Sequence, residues 1–386
     1  MDKFGFVGET TEYKLSDLFN LQMGKTPSRN NAEFWSDGEY KWISIADLTK
    51  TGKYISETKE LLSQKAIDES GIAVIPTNTV VMSFKLSIGK TAITSEDMYS
   101  NEAIMSFHDR HVTELLPEYI YYLLLAQRWD EGANKAVMGM TQNKATLSNR
   151  KVRIHSIIAQ KSIVERLDKL QKLIDDRKTQ LDELETLIKA RFVEMFGDPL
   201  AGTEKWSFQT VGDVADSVDP QPSHRTPPVV EGGIPYVSMK DCNYKNGTID
   251  FAGARKVSPD VLVEHHNRYE LHNGDFIIGK IGTIGNPIFV PKRDDYALSA
   301  NVVLIQPNSS KVSPYFLKET FESSFVERQF LDAKNSTSQA AFGIKKVRNI
   351  KIMNPDMKTQ MEFENFAIQV DKLKVEVQKS LDEMQI

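Results

Sequence analysis

The chain has 386 residues, of which 40% are hydrophobic and 26% are charged, and its formal net charge is −5 at pH 7. This length allows two domains of ordinary size, and the single cysteine, Cys242, excludes a disulfide framework. No membrane span or signal-peptide pattern is evident, so we expect a cytoplasmic protein. The acidic balance also argues against nucleic-acid binding by overall charge, unless basic residues cluster on one face or partners share the binding.

An internal repeat organises the chain. The segment Trp42–Leu48 recurs 194 positions later as Tyr236–Cys242, with the same alternation and the same aspartate. Further pairs follow in the same order: Asn78–Lys85 with Asn273–Lys280, and Pro117–Tyr122 with Pro314–Glu319. Because chance matches would not preserve their order, we interpret the repeat as a duplicated domain with diverged loops.

Within each copy the pattern favours short strands. Alternating apolar and β-branched residues are separated by turn dipeptides such as Asn273-Gly274. We expect one amphipathic helix per copy, beginning near Pro117 and near Pro314, because proline suits the first helical turn. Basic strand-like segments, Leu147–Ile154 and Ile344–Ile352, end the two copies. The prediction is therefore an α+β fold.

A heptad pattern follows each copy. After the first copy, the apolar stripe is interrupted at Arg177 and otherwise contains Ile163, Leu167, Leu170, Ile174, Leu181, Leu184 and Ile188. The stripe of the C-terminal tail contains Phe363, Phe366, Val370, Leu373 and Val377. Such spacing is typical of helices that bury one stripe against another helix. We predict that the two helices pack on each other as an antiparallel coiled coil within the chain. A homodimeric or trimeric coiled coil unrelated to DNA is the alternative.

These patterns divide the chain into four segments. We predict a sheet-rich domain at 1–155, a helical spacer at 156–197, a second and similar domain at 198–355 and a C-terminal helix at 356–386.

Nucleotide-binding motifs are absent. The segments Gly24–Thr26 and Gly89–Thr91 end like phosphate-binding loops, but Phe19 and Phe84 stand where such a loop needs its first glycine. We therefore exclude a nucleotide site at both segments.

Metal-binding and catalytic patterns are absent as well. No Glu or Cys stands at zinc-site spacing from the histidine pairs His108/His111 and His265/His266, which we interpret as exposed loop residues. The segment Glu57–Lys59 weakly resembles a nuclease core, but it lies in an expected turn. We predict that the chain is not catalytic and holds no metal.

Basic and polar residues recur where the loops of both copies are expected. Those of the first copy are Lys25, Thr26, Ser28, Arg29, Lys85, Gln142, Asn143, Lys144, Arg150 and Lys151. Those of the second copy are Arg225, Lys280, Thr283, Ser338, Gln339, Lys345, Lys346 and Arg348. Lysine and arginine hold phosphates, whereas glutamine, asparagine and arginine read base edges. A solvated polar surface explains any one residue equally well, but the recurrence favours DNA contact.

With these features the chain resembles the specificity subunit of type I restriction–modification enzymes over essentially its whole length. The segment Gln160–Asp168 and the segment Ala190–Pro199 look like the central helical spacer of this family and its exit into the second domain. The segment Tyr13–Pro27 looks like the entry into a recognition domain. The C-terminal helix looks shorter than the central one, which puts the size of its docking surface in doubt.

The resemblance implies a partner set as well as a fold. Each recognition domain would read one half of a split site in double-stranded DNA, with the helices setting the gap between the halves. A helix of about 40 residues spans roughly 60 Å, at most about two turns of B-DNA. Two modification subunits carrying S-adenosylmethionine would dock on the helices. Restriction subunits that use ATP and Mg²⁺ would join them, and this chain would hold no cofactor.

Three alternatives have different consequences. A recognition subunit of another modification system would share the architecture. A coiled-coil adaptor with protein-binding ends would show no preference among DNA sequences. A free-standing nuclease would cut DNA with Mg²⁺ in the absence of other subunits.

Overall fold

A computed structural model describes residues 9–129, 134–136, 139–141, 143–203, 205–221, 225–244, 247–280, 284–335 and 342–384. The chain divides into two compact units, unit 1 (Met1–Gln171) and unit 2 (Lys172–Ile386). The division falls within one 40-residue helix, Ile157–Phe196. Across the described residues, no helix combines the length and the apolar character needed to cross a membrane.

Unit 1 is built from short strands and helices. Its strands are β1 (Thr10–Lys14), β2 (Phe19–Met23), β3 (Tyr40–Ile43), β4 (Tyr54–Ile55), β5 (Glu60–Leu62), β6 (Val80–Ser83), β7 (Lys85–Leu86), β8 (Thr91–Thr94), β9 (Tyr99–Ser100), β10 (Ile104–Asp109), β11 (Asn134–Ala136), β12 (Gly139–Thr141) and β13 (Lys151–His155). Its helices are α1 (Leu15–Leu18), α2 (Ile45–Lys50), α3 (Gln64–Ser70), α4 (Pro117–Leu125), α5 (Lys144–Ser148) and the first part of α6 (Ile157–Phe196), with a 3-10 turn at Ala32–Phe34.

Unit 2 repeats this plan. Its strands are β14 (Phe208–Thr210), β15 (Ala215–Val218), β16 (Ile234–Val237), β17 (Cys242–Asn243), β18 (Thr248–Ile249), β19 (Arg255–Val257), β20 (Phe276–Gly279), β21 (Gly285–Phe289), β22 (Ala297–Leu298), β23 (Val302–Pro307) and β24 (Lys351–Met353). Besides the rest of α6, its helices are α7 (Val211–Val214), α8 (Pro259–His266), α9 (Pro314–Glu322), α10 (Ser324–Asn335), α11 (Ile344–Arg348) and α12 (Met357–Met384), with 3-10 turns at Pro199–Ala201 and Met239–Asp241.

The strand order confirms the duplication. The main sheet runs β2-β10-β6-β8-β4 in unit 1 and β15-β23-β20-β21 in unit 2. A second sheet, β5-β3-β9, has its counterpart in β19-β16-β22. In both of these the central strand joins one neighbour in parallel, through Trp42 opposite Tyr99 and through Tyr236 opposite Ala297. Finally, β1 pairs with β13 as β14 pairs with β24, so the end of each copy returns to its beginning.

The repeated Ser-x-x-Asp motif has a local structural cause. Ser44 and Ser238 each follow directly after a strand, and the aspartate three residues later accepts a hydrogen bond from the backbone N–H of that serine at 2.8 Å. Asp47 and Asp241 also accept the serine hydroxyls, at 2.6 and 2.8 Å. This capping box turns the chain from a strand into a helical turn. The aspartate that recurs in both copies is therefore a structural residue.

The predicted helices at Pro117 and Pro314 are confirmed, since α4 and α9 begin at these prolines. The expectation of a single helix per copy was wrong, because α3, α8 and α10 are also helical. The basic segments at the ends of the copies each begin with a short helix, α5 or α11, and only then become strands. At α5 the cause is Asn143, whose side chain accepts the backbone N–H of Thr146 at 2.8 Å.

The long helices pack antiparallel within unit 2, as predicted. The rings of Phe192 on α6 and Phe363 on α12 lie 5.4 Å apart. Glu185, which precedes Phe192 on α6, forms an ion pair with Lys374, which follows Phe363 on α12. The two helices therefore run in opposite directions. The α+β fold class, with two similar sheet-rich domains and paired long helices, is confirmed. The α12 helix has 28 residues against 40 in α6.

The predicted stripe on α12 was partly wrong. Phe363, Val370 and Val377 are buried as expected, but Phe366 is only half-buried and Leu373 is 55% exposed. The buried positions include Phe363, Ala367, Val370, Val377 and Leu381, and the half-buried Lys374 lies in the same stripe. Lys374 occupies an inward position because Glu185 pairs with it. The sequence spacing selected Phe366 and Leu373 for the stripe, whereas the positions that face the core are the next ones along the chain, Ala367 and Lys374.

On α6 the predicted stripe serves two different cores. Ile163 and Leu167 pack in the core of unit 1, whereas Leu184 and Ile188 pack in that of unit 2. Leu170 is 37% exposed, so its predicted burial was wrong. Ile174 and Leu181 are half-buried.

Candidate nucleic-acid interface

In unit 1 the predicted contact segment Gly24–Arg29 leaves β2 and lies against the loop after β9. The backbone N–H of Lys25 donates to the carbonyl of Ser100 at 2.8 Å. A Cβ added at Gly24 would lie 2.3 Å from the carbonyl oxygen of Asn101. Glycine is therefore required here by the close approach of the two backbones.

Three predicted residues meet around one carboxylate. The Thr26 hydroxyl donates to Glu102, and this hydrogen bond is the largest cause of the lowered pKa of Glu102. Lys85 and Arg29 lower that pKa further, while partial burial opposes them. The structure thus brings together Thr26, Arg29 and Lys85, which the sequence separates by up to 59 positions.

Arg29 has a preorganised guanidinium. It forms two hydrogen bonds with Glu60, at 2.5 and 3.0 Å, and lies 3.8 Å from the ring centroid of Trp35. Its side chain remains 48% exposed. A flat guanidinium held at the surface by an aromatic face and a carboxylate suits planar recognition of a phosphate or a base edge. Binding either of them would exchange Glu60 for the new partner.

The remaining predicted residues of unit 1 differ in availability. Lys25 donates to the carbonyl of Ser70, Arg150 donates to that of Arg128, and Lys151 pairs with Glu12 at 2.7 Å. Ser28 and Lys144 are exposed, and no ion pair is recorded for Lys144 among the described residues. Asn143 is occupied by its capping role. Gln142 lies outside the described residues.

In unit 2 the prediction for Lys280 was wrong. This lysine is 3% exposed, and its Nζ lies 2.8 Å from Oδ2 of Asp219. Its backbone carbonyl also accepts the N–H of Phe342. Lys280 follows the buried strand β20 and turns inward, so it forms a buried ion pair and does not present its charge to DNA.

The other predicted residues of unit 2 lie mainly on α11. Lys345 is exposed, Lys346 donates to the carbonyl of Ala333, and Arg348 donates to that of Ser217 at 3.0 Å. Arg225 is exposed. Three predicted residues, Thr283, Ser338 and Gln339, lie outside the described residues.

The histidines are placed differently from the prediction. His265 is 1% exposed, with its ring nitrogens 2.7 Å from Oε1 of Gln221 and 3.1 Å from the hydroxyl of Tyr269. Burial lowers the pKa of His265 to about 4, so the ring is neutral at pH 7. Of the other three predicted histidines, His108 is half-buried in β10, His266 is exposed at the end of α8, and His111 is an exposed loop residue. In the described part of the chain no three His, Cys, Asp or Glu side chains are grouped so as to hold a metal ion.

Sequence reasoning missed two buried glutamines that fasten the long helices to the domains. The side chain of Gln160 accepts the N–H of Leu116 at 3.0 Å and donates to the carbonyls of Glu114 and His155. Gln360 accepts the N–H of Ser313 at 2.9 Å in the same way. The two glutamines stand 200 positions apart. Extending the repeat into the helices would have found them.

The profile of one protein family, described as type I restriction modification DNA specificity domain, matches residues 8–186 and 203–383. The chain is 26% identical over 189 residues to the type I restriction enzyme MjaIX specificity subunit of Methanocaldococcus jannaschii, covering 48% of this chain and 43% of that one. It is 27% identical over 174 residues to the EcoR124I/EcoR124II specificity subunit of Escherichia coli, covering 43% and 42%. The chain thus spans less than half the length of these curated relatives.

Two solved structures share the fold. The S subunit of a type I restriction–modification system from M. genitalium has a TM-score of 0.54 and 13% identity, covering 99% of this chain and 95% of that one. A chain from a study of complex assembly and conformational transition of the type I R-M system has a TM-score of 0.57 and 15% identity, covering 97% and 94%.

Proposed function

Because the chain belongs to the family of type I restriction–modification DNA specificity proteins, we propose that each of its two units reads one half of a split DNA site. The observation that carries the proposal is the duplicated unit, with four strands of the main sheet in the same order in both copies and a family match in each. The units share one helix of 40 residues, which spans roughly 60 Å. In this proposal the helix sets the distance between the half-sites.

The chemistry belongs to partners in this proposal. Modification subunits carrying S-adenosylmethionine dock on the long helices, and restriction subunits use ATP and Mg²⁺. This chain recognises the DNA sequence and is not catalytic. Leu187 on α6 and Leu373 and Val375 on α12 are exposed apolar side chains, and such side chains are available to a docking partner. A cytoplasmic location fits this assembly.

Selection of duplex DNA by the assembled complex tests the proposal. The chain purified with its modification subunit is mixed with a random duplex library at moderate salt, and the retained DNA is sequenced. We expect enrichment of two short motifs separated by a constant gap. Equal retention of all sequences would remove the proposal and favour a coiled-coil adaptor. Mg²⁺-dependent cutting by the chain alone would instead favour a nuclease.

The exposed lysines Lys144 and Lys345 are predicted to contact phosphate. Replacing both with alanine should weaken binding to all duplexes alike, because phosphate contacts carry no sequence information. The slope of log affinity against log salt should fall by roughly 0.9 for each lysine. Fluorescence anisotropy across a salt series measures this slope.

Lys169→Ala, on the exposed face of α6, is the matched control and should leave the slope unchanged. A double variant with an unaltered slope would contradict the assignment of both lysines.

A further inference from the structure

A cleft of about 900 Å³ lies in unit 2 between the long helices and the domain. The helices α6, α9, α10 and α12 and the strand β21 supply most of its walls. Its lining carries seven carboxylates and four lysines, so the interior is negative. Apolar side chains such as Phe289, Phe321 and Phe330 line the rest.

Several charged residues of the cleft pair with one another. Lys318 lies 2.5 Å from Glu322, Lys189 lies 3.7 Å from both Glu185 and Glu322, and Lys374 pairs with Glu185 and with Asp371. Glu319 is 6% exposed, yet no hydrogen bond or ion pair of its carboxylate is recorded among the described residues. A buried carboxylate without a direct partner is costly.

The other copy of the repeat shows how this position is satisfied. Glu319 is the sixth residue of α9, and Tyr122 is the sixth residue of α4. In unit 1 the Tyr122 hydroxyl donates to Asp168 of α6 at 2.5 Å. Asp168 lies eight residues after Gln160, and the residue eight after Gln360 is Ile368, which offers no hydrogen-bonding group. The second copy therefore has no equivalent of Asp168 at this position.

We propose that the cleft receives a cationic side chain, an arginine or lysine, from the modification subunit, and that Glu319 is its counter-ion. This inference rests on the proposed function for the identity of the partner. The apolar lining, which includes Phe289 and Tyr315, suits the aliphatic stem of such a side chain. Val375 lines the cleft and is 65% exposed, so one apolar side chain is open to a partner beside the charged interior. An apolar contact at this position favours a protein partner over a free polyamine.

The titration of Glu319 agrees with this geometry. Burial raises the pKa of Glu319 to about 7, partly opposed by Lys318 and reinforced by Glu322 and Glu185. A bound cation would stabilise the carboxylate and lower this pKa. Docking near pH 7 should therefore release a proton from Glu319.

The test compares the full-length chain with E319Q, which keeps the shape and removes the charge. Calorimetric titration with the modification subunit at pH 8 should give an affinity at least tenfold weaker for E319Q. In buffers of different ionisation enthalpy at pH 7, the wild-type chain should release more protons on binding than E319Q. E376Q, at an exposed position of α12 outside the cleft, should match the wild type.

Folding of E319Q is checked in the same samples. The folded wild-type chain holds a proton on Glu319 that the unfolded chain loses above about pH 4.5, so its stability falls as pH rises toward 7. The stability of E319Q does not fall with pH in this way, because glutamine does not titrate. Its melting temperature should exceed that of the wild type at pH 8, and the difference should shrink at pH 5.

An affinity for E319Q within twofold of the wild type would overturn the inference. Saturable binding of spermidine to the chain, lost in E319Q while the partner affinity stays unchanged, would overturn it in favour of a polyamine. If the wild-type complex still selects DNA sequences in either case, the proposed function stands. If the wild-type chain does not bind the modification subunit, both fall.

Discussion

Replacing Val370 with aspartate is expected to lower the free energy of unfolding of unit 2 by about 4 kcal/mol or more. Val370 is 4% exposed and belongs to the core that also holds Ile188 and Phe192 of α6. The variant loses roughly 1.5–3 kcal/mol of apolar burial and places an unpaired carboxylate in the helix interface. Peptide-resolved hydrogen exchange should show faster exchange along α12 and the part of α6 within unit 2.

Leu373→Asp is the matched control on the same helix. Leu373 is 55% exposed, so this change should cost less than about 1 kcal/mol. The pair distinguishes the observed helix interface from the stripe that sequence spacing predicts, which contains both residues. Equal destabilisation by the two substitutions would contradict the observed interface.

Replacing Gln160 with leucine is expected to destabilise unit 1 by about 3–5 kcal/mol. The leucine fills a similar volume but leaves the N–H of Leu116 and two backbone carbonyls without the glutamine. Each buried group that loses its partner costs roughly 1–3 kcal/mol. Chemical denaturation and the exchange rate of the Leu116 amide measure the effect.

Two comparisons make this prediction specific. Gln360→Leu in unit 2 removes two recorded bonds, those to the N–H of Ser313 and the carbonyl of Pro355, so it should cost less than Gln160→Leu. Lys161→Leu changes the exposed neighbour and should be close to neutral. Unchanged exchange of the Leu116 amide in Gln160→Leu would show that the bridge does not hold α6 to the domain.

The repeat could be predicted from the sequence because its strongest signals are local. Pro117 and Pro314 begin helices through their own fixed backbone angle, and Asp47 and Asp241 cap through contacts three residues away. Such features need no knowledge of distant residues. The duplicated α+β unit followed from such local features, and the paired long helices followed from the heptad spacing.

The errors arise where a distant residue decides the environment. Lys374 faces inward because it forms an ion pair with Glu185, and Lys280 is buried because it forms an ion pair with Asp219. A prediction based on the spacing of apolar and polar residues places both lysines on the surface. His265 is likewise buried by hydrogen bonds to Gln221 and Tyr269.

For much of the candidate DNA interface, the sequence predicted which residues take part but not which of them lie close together. Thr26, Arg29 and Lys85 were predicted separately, but the carboxylate of Glu102 that brings them together was not. No sequence pattern pointed to the cleft at Glu319, because its distinguishing feature is a buried carboxylate without a hydrogen-bonding or ion-pair partner among the described residues. It becomes visible only when Tyr122 and Glu319 are compared as equivalent positions.

Mapping methylated bases in the genome of cells that express this chain with its modification subunits tests the two-unit account most directly. The account predicts one methylated motif made of two short defined halves separated by a gap of fixed length and undefined sequence. A hybrid chain with unit 1 taken from another member of the family should change one half and keep the other. A single uninterrupted motif, or replacement of both halves in the hybrid, would contradict the account.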